Sequence, residues 1–275
     1  MRIRLLVPSA PCTRNGNTVT AERWRAFFEA MGHAVSVNGD PRAPWDVLVA
    51  LNASKSRQAL LDAKRARPEA RIALCLTGTD LYCDLREDPG LGDVLYLADR
   101  LVVLQPAALD DLPPPLREKT TVIYQSARPP GRAPCPSTET FDVCVIAHLR
   151  DVKDPLRTAA AARLLPPRSK IRVLHVGKAL SEDLARAAER EAAVNPRFCW
   201  LGEQTKEGTE GVLLKSSLLV LSSILEGGAN VVSEAVVAGV PVLATRIACA
   251  VGLLGEDYPG LFPVGDTRRL SELLL

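Results

Sequence analysis

Two trains of short apolar runs alternate with helix-patterned segments, and a single Pro-rich break separates them. No other feature of these 275 residues constrains the fold as strongly. In the first half the strand-like runs are Ile3–Val7, Ala34–Val37, Val47–Leu51, Ile72–Leu76, Leu101–Leu104 and Val122–Tyr124. Between them lie Val19–Met31, with Thr18 as its expected cap and Gly32 as its stop, and the helix-like Lys55–Ala66. Apolar, β-branched or Leu-rich runs spaced by helices predict a parallel sheet covered on both faces. The stretch Arg128-Pro-Pro-Gly-Arg-Ala-Pro-Cys-Pro-Ser137 holds four prolines without periodicity and reads as a stiff, exposed linker. The alternation then restarts. Strand-like runs fall at Phe141–Ala147, Ile171–Val176, Phe198–Leu201, Leu218–Leu221 and Val240–Ala244, with helices at Leu156–Leu165, Asp183–Ala193 and Val231–Ala238. The expectation is α/β: an N-terminal Rossmann-like domain at 1–127, a linker at 128–140 and a second Rossmann-like domain at 141–275, the two facing a cleft. Ligands in such sheets bind beyond the carboxyl ends of the strands. The final Arg268–Leu275 reads as the start of an amphipathic helix, and the chain is expected to be shortened there.

Charge and composition narrow the partners. A net charge of +2 is too small to argue for nucleic acid or an anionic membrane. No run approaches the roughly 18 apolar residues of a membrane-spanning helix. Charge and Pro8 interrupt the N-terminal apolar stretch, which is too short for a secretory signal. The expected location is cytoplasmic. Seven Cys lie without C-x-x-C spacing, several inside apolar runs, and read as reduced thiols rather than disulfides or zinc ligands. No metal or cofactor is expected.

The most informative stretch runs from Leu218 to Thr245 as strand, loop, helix, turn and strand. The loop Glu226-Gly227-Gly228-Ala229-Asn230 opens the helix. Adjacent glycines let backbone N–H groups approach a ligand, and a helix N-terminus favours an anion. Glu234 follows one turn into the helix, eight residues after Glu226, so both carboxylates can reach one ligand and accept hydrogen bonds from a diol. After the strand at Phe141–Ala147 comes His148-Leu-Arg150-Asp-Val-Lys153, which places two cations at a strand's carboxyl end, suited to a leaving diphosphate.

The Glu226-to-Glu234 segment resembles the E-x7-E segment of family-4 retaining GT-B glycosyltransferases. The resemblance implies a donor sugar near Glu226 and the nucleotide ribose at Glu234. It also implies diphosphate and sugar near Gly227, Gly228, Ala229 and Asn230. The family carries an Arg and a Lys after the strand that corresponds to Phe141–Ala147, matched in kind by Arg150 and Lys153 at a shorter spacing.

The first domain offers the loop Pro8–Thr18, in which Gly16 and Asn17 fit a donor-phosphate contact and Arg14 adds a cation. The loop lacks the spacing of G-x-G-x-x-G, which disfavours nicotinamide chemistry. Thr77, Thr79 and Asp80 are expected at the sheet's carboxyl edge as acceptor contacts. Turn and cap chemistry is their other reading. Lys55 and Arg57 are further acceptor candidates, or else solvated first-turn charges.

Taken together, Asn15–Ala21, Thr77–Tyr82, Val103–Pro106, Ile123–Ala127, Glu226–Ala235 and Gly255–Gly260 look like the selenosugar synthases of selenoneine biosynthesis over nearly the whole chain. That resemblance implies a UDP-sugar donor, typically UDP-N-acetylglucosamine, and selenophosphate as acceptor. An anionic selenium nucleophile needs no strong general base, in keeping with the lack of an obvious His or Asp dyad. Two readings stand beside it: a family-4 glycosyltransferase with an oxygen or sulfur acceptor, and a nucleotide-sugar binding module without chemistry.

Overall fold

The computed structural model describes residues 1–8 and 15–275. Its contacts divide the chain into two units. The first is Met1–Ser126 together with Glu226–Ala229; the second is Ala127–Leu225 together with Asn230–Leu275.

The first unit is built on β1 (Arg2–Leu6), β2 (Ala34–Val37), β3 (Val47–Leu51), β4 (Arg71–Cys75), β5 (Arg100–Val103) and β6 (Thr120–Val122). They form one parallel sheet in the order β2-β1-β3-β4-β5-β6. The apolar runs are continuous because both faces are covered. Along β3, Leu48 and Ala50 enter one buried cluster with Ile72, Leu74 and Leu101. Val49 and Leu51 enter another with Ile3, Leu5 and Cys75 on the opposite face. This is the period-2 alternation of a strand. Leu5, Leu48, Leu51 and Leu74 are fully buried, and each such side chain stabilises the fold by about 1.5–3 kcal/mol.

The second unit carries β7 (Phe141–Ile146), β8 (Ile171–Val176), β9 (Phe198–Trp200), β10 (Leu218–Leu221), β11 (Val242–Thr245) and β12 (Leu261–Phe262). The sheet is again parallel, in the order β12-β11-β10-β7-β8-β9. Chain order reverses between β7 and β10 here, and between β1 and β3 in the first unit. In doubly wound sheets these are the switch points where adjacent loops part and leave room for a ligand. Each unit is Rossmann-like, as the GT-B resemblance implies.

Several expected boundaries move for local reasons. The first helix is Gly16–Ala30, three residues earlier than its apolar pattern, because Asn15 caps it and accepts from Asn17 and Thr18 N–H. Thr18 is therefore not the cap; its hydroxyl closes the reciprocal bond to Asn15 N–H at 2.8 Å. Gly32 takes a left-handed φ of 79° just past the helix, as its position predicts. The second helix is Ala53–Ala66, capped by Asn52 through Lys55 N–H. Helices Leu91–Leu97, Lys206–Lys215 and Ala248–Leu254 and strand β12 were not legible as periodic runs. Residues 127–140 carry no helix or strand. Cys75, Cys144 and Cys249 are buried thiols, and burial pushes Cys144 up to about 12, whereas Cys135 and Cys199 are exposed. Among the described residues no helix is long and apolar enough to cross a membrane.

Candidate functional site

The switch point of the second unit brings together the loops that follow β7 and β10. Beyond β7, Leu149 bridges to Ala179, donating to Lys178 O at 2.9 Å and accepting from Leu180 N–H at 3.0 Å. Gly177 is required there, since a Cβ on it would fall 1.9 Å from Ala147 O. Arg150 stands exposed at the end of this fixed segment, and Lys153, half-buried, closes the short turn Asp151–Lys153. The turn is tied to the loop after β10. Ile224 N–H donates to Val152 O at 2.8 Å, and the Ser222 hydroxyl donates to Lys153 O and Asp154 O at 3.1 and 3.0 Å.

After Ser222 the chain passes through Leu225 to Glu226–Ala229 and enters the helix Asn230–Ala238. Glu234 is half-buried, four residues after Asn230 and so on the same helix face. Arg150, Lys153, Asn230 and Glu234 thus all follow the carboxyl ends of the two strands that flank the reversal. Beneath the turn, His175 at the end of β8 is fully buried, with Nε2 3.0 Å from Ala147 O and its ring edge-on to Phe198. Burial holds its imidazole down to about 4, so it stays neutral and serves the core.

By their contacts Glu226, Gly227, Gly228 and Ala229 belong to the first unit. A Cβ on Gly227 would fall 2.2 Å from Thr77 O and 2.7 Å from Gly78 N, and one on Gly228 would fall 2.4 Å from Leu104 Cβ. Backbone therefore runs against backbone, which only glycine allows. Gly78, at φ 130°, meets Gly227 in the same way.

The expected acceptor residues separate into two kinds. Asp80 is buried, and its carboxylate accepts from Ala53 N–H at 2.9 Å, Thr77 N–H at 2.9 Å and Gly78 N–H at 2.8 Å. Burial raises its pKa despite these bonds. Of the two readings of Asp80, these bonds support turn and cap chemistry: the carboxylate shapes the turn that carries Thr77 and Thr79. Those two are half-buried after β4, and Asn52 Nδ2 donates to Thr77 Oγ1 at 3.1 Å. Lys55 is exposed in the first turn of its helix, next to the β1/β3 reversal. Arg57 pairs with Asp88 at 2.5 Å. Gly16 and Asn17 open the helix that follows β1. Arg14 lies outside the described residues.

Sequence reasoning missed Asn52, which is buried, holds φ at 66° and joins the two loops after β3 and β4. An Asn directly between the apolar run Val47–Leu51 and a helix was the available cap signal. It also missed Ser222, which reaches Lys153 and Asp154 from 69 and 68 residues away, and the Asp154–Arg157 pair, whose Arg157 reaches Thr267 from 110 residues away.

The two parallel sheets define a doubly wound α/β architecture, and the family match gives its class. The chain belongs to the group 1 glycosyl transferases, whose family model matches residues 134–273. No curated protein matches it. Among solved structures it is similar to HepE of Anabaena, at 17% identity and TM-score 0.75, over 100% of this chain and 89% of that one. It is also similar to the sucrose-phosphate synthase of Thermosynechococcus elongatus, at 15% identity and TM-score 0.77, over 99% and 88%. A glycosyltransferase of Rickettsia africae aligns at 13% identity and TM-score 0.76, over 99% and 86%. At these identities the likeness establishes the fold.

Proposed function

We propose that this glycosyltransferase moves a sugar, N-acetylglucosamine in the first instance, from a UDP-sugar to selenophosphate. The observation that carries the donor half is the pair of cations Arg150 and Lys153, on a turn bonded to the loop after β10 at the sheet's reversal point. In this reading they neutralise the leaving diphosphate, and N–H groups of Gly227, Gly228, Ala229 and Asn230 add to them. Glu234 accepts from the ribose hydroxyls and Glu226 contacts the sugar. Gly16 and Asn17 lie toward the donor phosphate. HepE, whose structures hold UDP, UDP with glucose, or UDP-glucose, supports the choice of nucleotide.

The acceptor half rests on the sequence resemblance, with Thr77, Thr79, Lys55 and Arg14 as its contacts and Asp80 as the residue that shapes their turn. The selenium of selenophosphate attacks the anomeric carbon, the bond from that carbon to the diphosphate oxygen breaks, and UDP departs with the electron pair. The nucleophile is anionic from the outset, so the step requires positioning and charge neutralisation rather than a strong base.

Incubation of the protein with UDP-N-acetylglucosamine and selenophosphate tests the proposal directly. UDP release that depends on selenophosphate, with a selenium-containing sugar in the mass spectrum, is the expected result. UDP release with alcohols or thiols but not selenophosphate overturns the acceptor assignment, and no release with any acceptor overturns the catalytic one.

A further inference from the structure

We propose that Ser222 and the Asp154–Arg157 pair form a clamp that sets the cation-bearing turn Arg150–Lys153 for the donor diphosphate; the inference rests on the donor-site reading above.

The turn is held from two sides. From the loop after β10, the Ser222 hydroxyl, almost fully buried, divides its single proton between the carbonyls of Lys153 and Asp154. From the same loop, Ile224 N–H reaches Val152 O. From the following helix, Arg157 Nε donates to Asp154 Oδ2 at 2.7 Å, while its Nη1 donates to Thr267 Oγ1 at 2.7 Å. Both side chains of the Asp154–Arg157 pair are largely buried, at 19% and 29% exposure, so water competes little for the contact.

The backbone conformation separates positioning from folding. Asp154 sits at φ 44°, ψ 58°, in the left-handed region where glycine is the cheapest residue. A chain reversal alone would be served better by glycine. Aspartate accepts the unfavourable backbone and adds a carboxylate through which Arg157 fixes the end of the turn. Lys153 and Arg150 are thereby held within the same few residues: Lys153 N–H donates to Arg150 O at 2.9 Å, and Asp154 N–H donates to Asp151 O at 3.0 Å. Two charges that stabilise a leaving group act through geometry, and a displacement of about 1 Å can lower a rate by about a hundredfold. Ser222, Asp154 and Arg157 are positioning residues in this account.

The test uses the full-length chain with UDP as the probe, its affinity measured by calorimetry and its fold by thermal melting. D154G is expected to raise the Kd for UDP about tenfold, more than its change in Tm accounts for, because glycine relieves the left-handed strain while the lost contact to Arg157 acts against it. D154N tolerates the same backbone and retains a neutral acceptor for Arg157, so it is expected to fall between D154G and wild type. S222A is expected to weaken UDP by a similar factor. UDP affinity unchanged in both D154G and S222A overturns the clamp, as does affinity lost only in proportion to Tm. A wild-type chain that does not bind UDP at all removes the donor-site reading and the clamp together, which distinguishes the two failures.

Discussion

Lowering the pH from 7.5 to 5.0 should weaken the second unit through His175 alone by an amount that follows from its burial. The imidazole is fully buried, hydrogen-bonded to Ala147 O and packed against Phe198, and burial lowers its pKa from 6.5 to about 4. Between those values the unfolded chain binds a proton that the folded chain refuses. Stability is therefore unaffected above pH 6.5, falls as the pH drops, and levels off below the folded value. The slope is about 1.4 kcal/mol per pH unit, so the full penalty is on the order of 3 kcal/mol, of which roughly 2 kcal/mol is already lost at pH 5.0. Trp200 is the tryptophan of the second unit, on β9 beside β8, and with Trp24 and Trp45 replaced by Phe its fluorescence reports unfolding of this unit in urea. His175→Gln can still donate to Ala147 O but does not titrate. Its stability should differ from that of the parent by about 2 kcal/mol more at pH 5.0 than at pH 7.5, in its favour. Parallel pH profiles for the two proteins would refute the assignment of the acid sensitivity to His175.

Other expectations follow from the same geometry. Gly227→Ala forces a Cβ to within 2.2 Å of Thr77 O and should cost about 1–3 kcal/mol in melting experiments along with most turnover, whereas Gly92→Ala, with nothing within 4 Å, should stabilise its helix by about 0.5–1 kcal/mol. Arg150→Ala and Lys153→Ala should each lower kcat for UDP release by about a hundredfold to a thousandfold with circular dichroism unchanged, and a tenfold effect or less would move the diphosphate elsewhere. Glu226→Gln should greatly reduce turnover without altering the Tm; near wild-type rates would remove Glu226 from the mechanism. Asp80→Ala strips an acceptor from three N–H groups, two of them in buried bonds, and should destabilise the first unit by about 2–5 kcal/mol, while Asp80→Asn should cost less, as measured by denaturant unfolding.

Much of the architecture was legible in the chain because its signals are local. A parallel strand covered on both faces must be apolar at consecutive positions, so Val47–Leu51, Ile171–Val176 and Leu218–Leu221 could be bounded to the residue. The Glu226–Glu234 loop and helix start were visible for the same reason, since a paired glycine before a helix is a local signature. Strand β12 was not, because two residues carry no period. The bond from Ala53 N–H to Asp80 was not legible either, because the two residues lie 27 positions apart and neither one's sequence neighbours disclose the other.

By itself the sequence determined two Rossmann-like α/β halves, the Pro-rich break between them, and the cationic and glycine-rich loops that end their strands. Tertiary structure alone decided which of those loops meet. Strand order sets β10 beside β7, so Ser222 reaches Lys153 across 69 residues, and Arg157 reaches Thr267 across 110. Backbone periodicity extends over a few residues, whereas hydrogen bonds between sheet-end loops depend on the pairing of strands that no local pattern encodes.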